Sequence, residues 1–205
     1  LAGLRLGDLL AAVVVERTHL AGRIPCDRGV TDAERPTMDE HGRDRPAPDV
    51  KTSESVMAWV MYNYSMRMGH TVTAVVTGKP MEMGGSLGRR EATGRGCMIV
   101  TKEALKHLGM PVQGTTVAVQ GFGNVGSVAA QLLAKEGCRI VAISDKSGGY
   151  HNPKGIDVDA ALAHVRKTKH LEGFAGATPI TNEELLTLEV DVLLPAALEN
   201  VITSK

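Results

Sequence analysis

The sequence predicts an α/β fold built on a doubly wound parallel sheet, and three observations carry that prediction. The stretches "TTVAVQG", "RIVAISD" and "VDVLLPA" are short, continuous apolar runs. Such runs fit strands buried on both faces rather than strands with one face in water. Segments with helical spacing of apolar residues separate them, which is the order of a sheet covered by crossover helices. The first run also passes into a helix through the glycine turn "GFGNVG".

Taken in order, "TSESVMAWVMYNYSMRMG" opens on Ser/Thr capping residues and places Val56, Val60, Met61 and Tyr64 on one helical face. "TVTAVVTG" is rich in β-branched residues and reads as a strand. "EATGRGCMIVTKEALKHLG" sets Cys97, Val100, Thr101, Ala104, Leu105 and Leu108 at helical spacing, closed by Gly109. "NVGSVAAQLLAKEG" is a helix with Val125, Val128, Ala129, Leu132 and Leu133 inward, and "DVDAALAHVRKTK" is another. "TNEELLTLE" starts with the Thr181–Glu184 spacing of a capping box.

Composition narrows the function classes. Twenty-three basic residues balance 23 acidic ones, so nothing points to a nucleic-acid or membrane surface. No apolar run reaches the roughly 18–20 residues of a membrane span. The three cysteines, Cys26, Cys97 and Cys138, show no CxxC spacing, which argues against a metal site or a disulfide framework. Reduced thiols in a cytoplasmic protein are the expectation, with Cys97 and Cys138 as small core residues. Residues 1–50 hold seven Arg and no Lys, whereas residues 51–205 hold six Arg and ten Lys. The early stretch also lacks clear periodicity, so residues 1–44 are left unassigned. A variable arm and a stretch foreign to the rest, as from a translation-frame error, are both open readings. Beginning with Leu1 and ending in "ENVITSK", the chain reads as a piece of a longer protein.

"VAVQGFGNVG" places Gly121, Gly123 and Gly126 in GxGxxG spacing between a strand and a helix, and Asp145 ends the next strand 22 residues after Gly123. That context marks a dinucleotide site in a Rossmann-like domain. Gly121 permits the tight turn, Gly123 lets backbone approach a pyrophosphate, and Gly126 lets helix and strand pack closely. The helix N-terminus supplies free N–H groups and partial positive charge. Asp145 is expected to accept hydrogen bonds from the adenosine ribose, which favours NAD over NADP by repelling a 2′-phosphate. Lys146 beside it works the other way.

"GGSLGRREATGRG", from Gly84 to Gly96, is too flexible for a strand and too polar for a core. With "PAPDV", "VTGKP", "GFGNVGSVAAQLL" and "LPAALEN", in this order and spacing, it resembles the glutamate dehydrogenases of the glutamate/leucine/phenylalanine/valine dehydrogenase superfamily. The resemblance runs from about Arg45 to the end. It implies a remnant of the substrate/oligomerisation domain over residues 45–88 and a truncated Rossmann domain over 89–205, with Gly84–Gly96 as the passage between them.

The resemblance further implies oxidative deamination of L-glutamate to 2-oxoglutarate and ammonia, with NAD or NADP as cofactor, no metal, and a homo-oligomer, commonly a hexamer. Asp49 matches the family's catalytic aspartate, which shuttles protons, and flanking prolines stiffen its loop. Arg89 matches an arginine near the substrate. Thr93 and Asn124 match residues that orient the nicotinamide. Phe122 and Val125 within the glycine turn, and Ala196 and Asn200 in "LPAALEN", complete the cofactor set. Arg90 and Arg95 read as solvated neighbours. The chain departs from the family pattern upstream. The family's catalytic and carboxylate-binding lysines precede "PAPD", and no Lys precedes Lys51 here. Lys79 follows the aspartate and is no substitute. The chain itself is therefore expected to be inactive, a dinucleotide-binding module. A dehydrogenase for another amino acid of the leucine, valine or phenylalanine type is the alternative.

Overall fold

The computed structural model describes residues 52–197 and 201–202, with the backbone of Ala11–Ala12. The chain splits into two compact units, one of Thr18–Arg90 and one of Leu1–Arg17 with Glu91–Lys205. The division falls between Arg90 and Glu91, inside the glycine- and arginine-rich segment.

In the Thr18–Arg90 unit, helix α1 spans Glu54–Met68. Ser53 caps it in extended conformation, Glu54 in the first turn complements the helix dipole, and Gly69 closes it in the left-handed region at φ 72°. Met57 and Met61, one turn apart, are buried with Val75 and Val76, and Val56, Val60 and Tyr64 pack around them. The centre of the buried face is thus Met57, which lies outside the set Val56, Val60, Met61 and Tyr64 expected from the helical spacing. The expected strand at Thr71–Gly78 does not form. Thr73–Val75 make a 3-10 turn, and the segment's valines are spent on burial against α1. Strand propensity reflects fit to a half-buried surface, and no ladder partner among the described residues competes here. Farther on, Gly85 N–H donates to Pro80 O at 3.0 Å, and a Cβ at Gly85 would lie 2.2 Å from Lys79 O. The loop doubles back so tightly that only glycine fits.

The second unit runs α2 (Ala92–His107), β2 (Thr116–Gln120), α3 (Gly126–Lys135), β3 (Arg139–Asp145), β4 (Gly148–His151), α4 (Val158–Thr168), β5 (Thr178–Ile180), α5 (Asn182–Leu186) and β6 (Val192–Pro195). The two-residue strand β1 (Ala11–Ala12) joins the same sheet, whose order is β1-β6-β2-β3-β4-β5. Strands β1, β6, β2 and β3 are mutually parallel. The three apolar runs read as strands, β2, β3 and β6, pair parallel as expected, and β4 and β5, which the sequence did not mark, extend the sheet antiparallel at its edge. The turn Asp145–Gly148 explains the reversal. Ser147 N–H closes it onto Asp145 Oδ1, and Gly148 adopts φ 137°.

Side chains alternate across the sheet. Val117 and Val119 of β2 face a large core shared with α2, α3 and α4, whereas Ala118 faces a smaller one with Leu185 of α5. Helices thus cover both faces. The β2–β3 register shifts between Val117 and Ala118, skipping Val141. That bulge lets the consecutive residues Val141 and Ala142 both enter the smaller core. On α2 the buried face is Gly94, Cys97, Met98, Thr101 and Leu105. Val100 and Leu108, expected inward, are exposed. Cys97, Thr101 and Leu105 are buried as expected, and Gly94 and Met98 complete the face, Gly94 allowing close approach to α3. The Thr181–Glu184 capping box forms in full, with Thr181 N–H to Glu184 Oε2 at 2.7 Å and Glu184 N–H to Thr181 Oγ1 at 3.1 Å.

Candidate functional site

The chain leaves β2 for β3 on one side and returns to β2 with β6 on the other. The sequence order therefore reverses at β2, and in open α/β sheets ligands bind beyond the carboxyl ends of strands at such a reversal. The residues at those ends are Gln120, Asp145 and Pro195. The fingerprint glycines follow directly from β2.

Two of the three glycines are required by packing. Gly121 sits at φ 92°, and a Cβ there would lie 2.7 Å from Ala196 O. Ala196 N–H in turn donates to Gln120 O at 2.8 Å, so Ala196 and Gly121 abut where β2 and β6 end. A Cβ at Gly126 would lie 2.1 Å from Gly121 O and 3.0 Å from Val119 Cγ1. Gly123 is different, because nothing lies within 4 Å of the Cβ it lacks. It faces open space and is exposed.

The N–H groups of Gly121 and Phe122 both donate to Ser144 O, at 2.9 and 2.6 Å. The Phe122 ring is buried in the larger core and Val125 packs against that core. Phe122 thus contributes shape rather than a free donor. Among the described residues no partner holds the N–H groups of Gly123, Asn124, Val125 and Gly126. Four unpaired donors at the start of α3, where the helix dipole is positive, fit the phosphates of a dinucleotide. Ser127 fastens the turn from below, its N–H and Oγ both donating to Gly123 O at 3.0 and 2.6 Å. At the same sheet edge two buried polar atoms, Gln120 Oε1 and Ser144 Oγ, lack partners among the described residues.

Helices α2 and α3 meet at their first turns. A Cβ at Gly94 would sit 2.7 Å from Val128 Cβ and 2.9 Å from Ala129 N. Thr93 precedes Gly94, and Asn124 lies two residues before α3; both are exposed. The helix packing therefore brings together the chain ends that carry Thr93 and Asn124. Arg95 pairs with Glu91, Nη2 to Oε1 at 2.6 Å on the helix surface. Arg89 is half-buried and belongs to the other compact unit. Asp49 and Asn200 lie outside the described residues.

Asp145 is more constrained than its position alone suggests. Its Oδ1 accepts from Ser147 N–H at 2.7 Å and from Ser147 Oγ at 2.5 Å, and its Oδ2 accepts from Leu171 N–H at 2.7 Å. Ser147 could have been found from the Asp-x-Ser turn signature. Leu171 could not, being 26 residues away with no local signal. Among the described residues no group of three His, Cys, Asp or Glu side chains could hold a metal ion, and no helix is long and apolar enough to cross a membrane.

Comparison with known proteins agrees with this geometry. Residues 84–205 match the family described as Glutamate/Leucine/Phenylalanine/Valine dehydrogenase. A glutamate dehydrogenase of Thermotoga maritima is 52% identical over 160 residues, covering 78% of this chain and 38% of the relative. Two Halobacterium salinarum enzymes bracket the cofactor question. The NAD-specific glutamate dehydrogenase A is 51% identical, covering 80% of this chain and 37% of its own length. The NADP-specific glutamate dehydrogenase A1 is 47% identical, covering 82% and 40%. The hetero-hexameric glutamate dehydrogenase of Thermus thermophilus, in its leucine-bound form, superposes with a TM-score of 0.70 at 39% identity, over 77% of this chain and 37% of that one. The chain spans about 38% of the length of the curated relatives it matches. With the glycine turn, the strand reversal and these likenesses together, the chain belongs to the glutamate/leucine/phenylalanine/valine dehydrogenase family.

Proposed function

We propose that this chain is the cofactor-binding part of a glutamate dehydrogenase, an NAD(P)-dependent enzyme that interconverts L-glutamate with 2-oxoglutarate and ammonia. The observation that carries the reading is the row of unpaired N–H groups from Gly123 to Gly126, set at the strand reversal beside Asp145. When bound, the dinucleotide supplies hydride chemistry. The chain's residues bind and orient. Gly123, Asn124, Val125 and Gly126 take the pyrophosphate on backbone donors, and Asp145 lies at the ribose end. Thr93 and Asn124 hold the nicotinamide carboxamide, with Ala196 and Asn200 bordering it. Arg89 assists the substrate site, and Asp49 shuttles protons during the reaction.

Glutamate is favoured over other amino acids by the "GGSLGRREATG" form of the crossing segment and by the relatives at 52% identity. Free, buried Cys97 and Cys138 support a cytoplasmic location. The working assembly is a homo-oligomer, commonly a hexamer. The absence of any lysine before Lys51 supports binding without turnover by this chain itself.

The test is a pair of measurements on the same protein. Titration with NAD+ and NADP+ is expected to show saturable binding, and glutamate-dependent formation of reduced cofactor is expected to be absent. No binding of either dinucleotide sinks the cofactor reading. Robust turnover sinks the assignment of the missing step to an upstream lysine.

A further inference from the structure

In the sheet order β1-β6-β2-β3-β4-β5, β6 is an interior strand only because the two residues of β1 pair with it. Ala11 stands opposite Val192 and Ala12 opposite Leu193, in parallel register. On its other side β6 pairs with β2 from Val192 to Pro195. β1 lies outside residues 84–205, the stretch that matches the family, so the family likeness assigns it no role. Its surroundings in sequence, residues 9–15, are apolar throughout and end in three valines. That is the composition of a strand buried in a parallel sheet.

Backbone polarity defines what β1 supplies. Ala196 N–H donates to Gln120 O, so the backbone of Ala196 faces β2. Successive residues of a strand turn their N–H and C=O to opposite sides. Val192 and Leu194 therefore face β2, whereas Leu193 and Pro195 face β1. Pro195 has no N–H, which leaves Leu193 as the one residue of β6 with both a donor and an acceptor on the β1 side. All four residues of β6 are buried. A buried N–H and C=O without partners are costly, so Leu193 requires a strand beside it. Ala12 of β1 stands opposite.

The far end of β6 is the cofactor corner. Pro195 leads into Ala196, whose carbonyl oxygen lies 2.7 Å from where a Cβ at Gly121 would sit. The placement of β6 against β2 thus sets the gap over the glycine turn. We propose that the N-terminal segment at Ala11–Ala12 is a positioning strand for the dinucleotide site: it completes Leu193, holds β6 against β2, and so fixes Ala196 beside Gly121. The inference rests on the dinucleotide reading above for its consequence and on the sheet alone for its cause.

Amide hydrogen exchange on the full chain tests the cause. Leu193 N–H is expected to exchange slowly, and about tenfold faster or more when Ala11→Pro and Ala12→Pro are introduced together. Proline takes the β1 donors away and cannot continue the ladder. Leu194 N–H faces β2 and should stay protected in both proteins, which also reports that the variant is folded. A synthetic peptide of residues 1–17, added to the variant, should slow Leu193 again. NAD+ titration tests the consequence: affinity should fall several-fold in the variant and recover with the peptide. Equal exchange at Leu193 in the two proteins overturns the proposal, and so does a folded variant that binds NAD+ as tightly as the unaltered chain. If the variant loses protection at Leu194 too, the unaltered chain decides: Leu193 exchanging as fast as the unpaired amides of Gly123 to Gly126 overturns the pairing, and slow exchange supports it. If the unaltered chain binds neither NAD+ nor NADP+, the cofactor reading falls with the consequence, while exchange at Leu193 still decides the pairing.

Discussion

Gly94 of α2 lies against Val128 of α3 so closely that a Cβ at position 94 would come within 2.7 Å of Val128 Cβ and 2.8 Å of its Cγ1. Real side chains do not approach so far, so the helices touch here only because position 94 has no side chain. Gly94→Ala must push the helices apart and disturb Cys97 and Met98 on the same buried face. Overpacking of this kind costs about 1–3 kcal/mol. Urea unfolding should show the midpoint falling with an unchanged slope. A stability equal to wild type would contradict the close packing that aligns the first turns of α2 and α3.

The fingerprint glycines separate folding from binding. Gly126→Ala drives a methyl group into the backbone of Gly121, 2.1 Å away, where no flexible side chain can yield. Loss of cooperative unfolding or of expression is expected. Gly123→Ala meets nothing within 4 Å and should stay within about 0.5 kcal/mol of wild type. Its methyl group instead occupies the space a pyrophosphate needs, so dinucleotide affinity should fall by about tenfold or more. Unchanged affinity in Gly123→Ala, with folding intact, would place the phosphates elsewhere.

Thr116 at the start of β2 and Asp191 just before β6 are 75 residues apart in sequence, and the Asp191 carboxylate joins the two strands. Asp191 Oδ2 accepts from Thr116 N–H at 2.8 Å and from Thr116 Oγ1 at 2.7 Å, while Asp191 N–H donates to Thr116 Oγ1 at 2.9 Å. Asp191→Ala strands a partly buried N–H and hydroxyl, a loss of about 1–3 kcal/mol. Asp191→Asn keeps an acceptor and should cost less. Comparable losses in the two variants would show that charge, not the bonding pattern, matters at this junction.

The parts legible in the sequence were those whose physics is local. The run "RIVAISD" coincides with β3, Arg139–Asp145, because the five consecutive buried residues from Ile140 to Ser144 need a largely apolar run. The capping box was legible because both partners lie within one turn. The edge strands were not. "GGYH" and "TPI" carry glycine or proline and are too short for a period, and they exist only because Tyr150 pairs with Pro179 across the sheet. "TVTAVVTG" misled in the opposite sense, since its valines satisfied α1 without any ladder. In the site, spacing alone marked Gly121, Gly123, Gly126 and Asp145. The tether from Leu171 to Asp145 is tertiary, so the carboxylate's prior commitment could not be read from residue order.

The two described cysteines yield a pH dependence whose sign can be worked out. Cys97 lies in the buried stripe of α2, and burial pushes its thiol above the ordinary value against an opposing backbone hydrogen bond. Cys138 opens the approach to β3 with its Sγ 3.4 Å from Val112 O. Burial raises its thiol as well, the Glu136 charge adds to the rise, and Lys102 opposes it. Raised thiols favour the neutral form in the folded protein. Below the unfolded value of about 8.5 both states hold their protons and the stabilisation is fully present. Above it the unfolded chain loses protons that the fold retains, so stability falls as pH rises through the folded values. Urea midpoints should therefore decline between neutral and strongly alkaline pH, and Cys138→Ala should flatten that decline. The same protonation makes both thiols poor nucleophiles. Peptide mapping after brief alkylation at neutral pH should show Cys97 and Cys138 largely unmodified in the native protein and rapidly modified in denaturant. Fast native labelling at Cys138 would mean that Lys102, rather than burial and Glu136, governs that thiol.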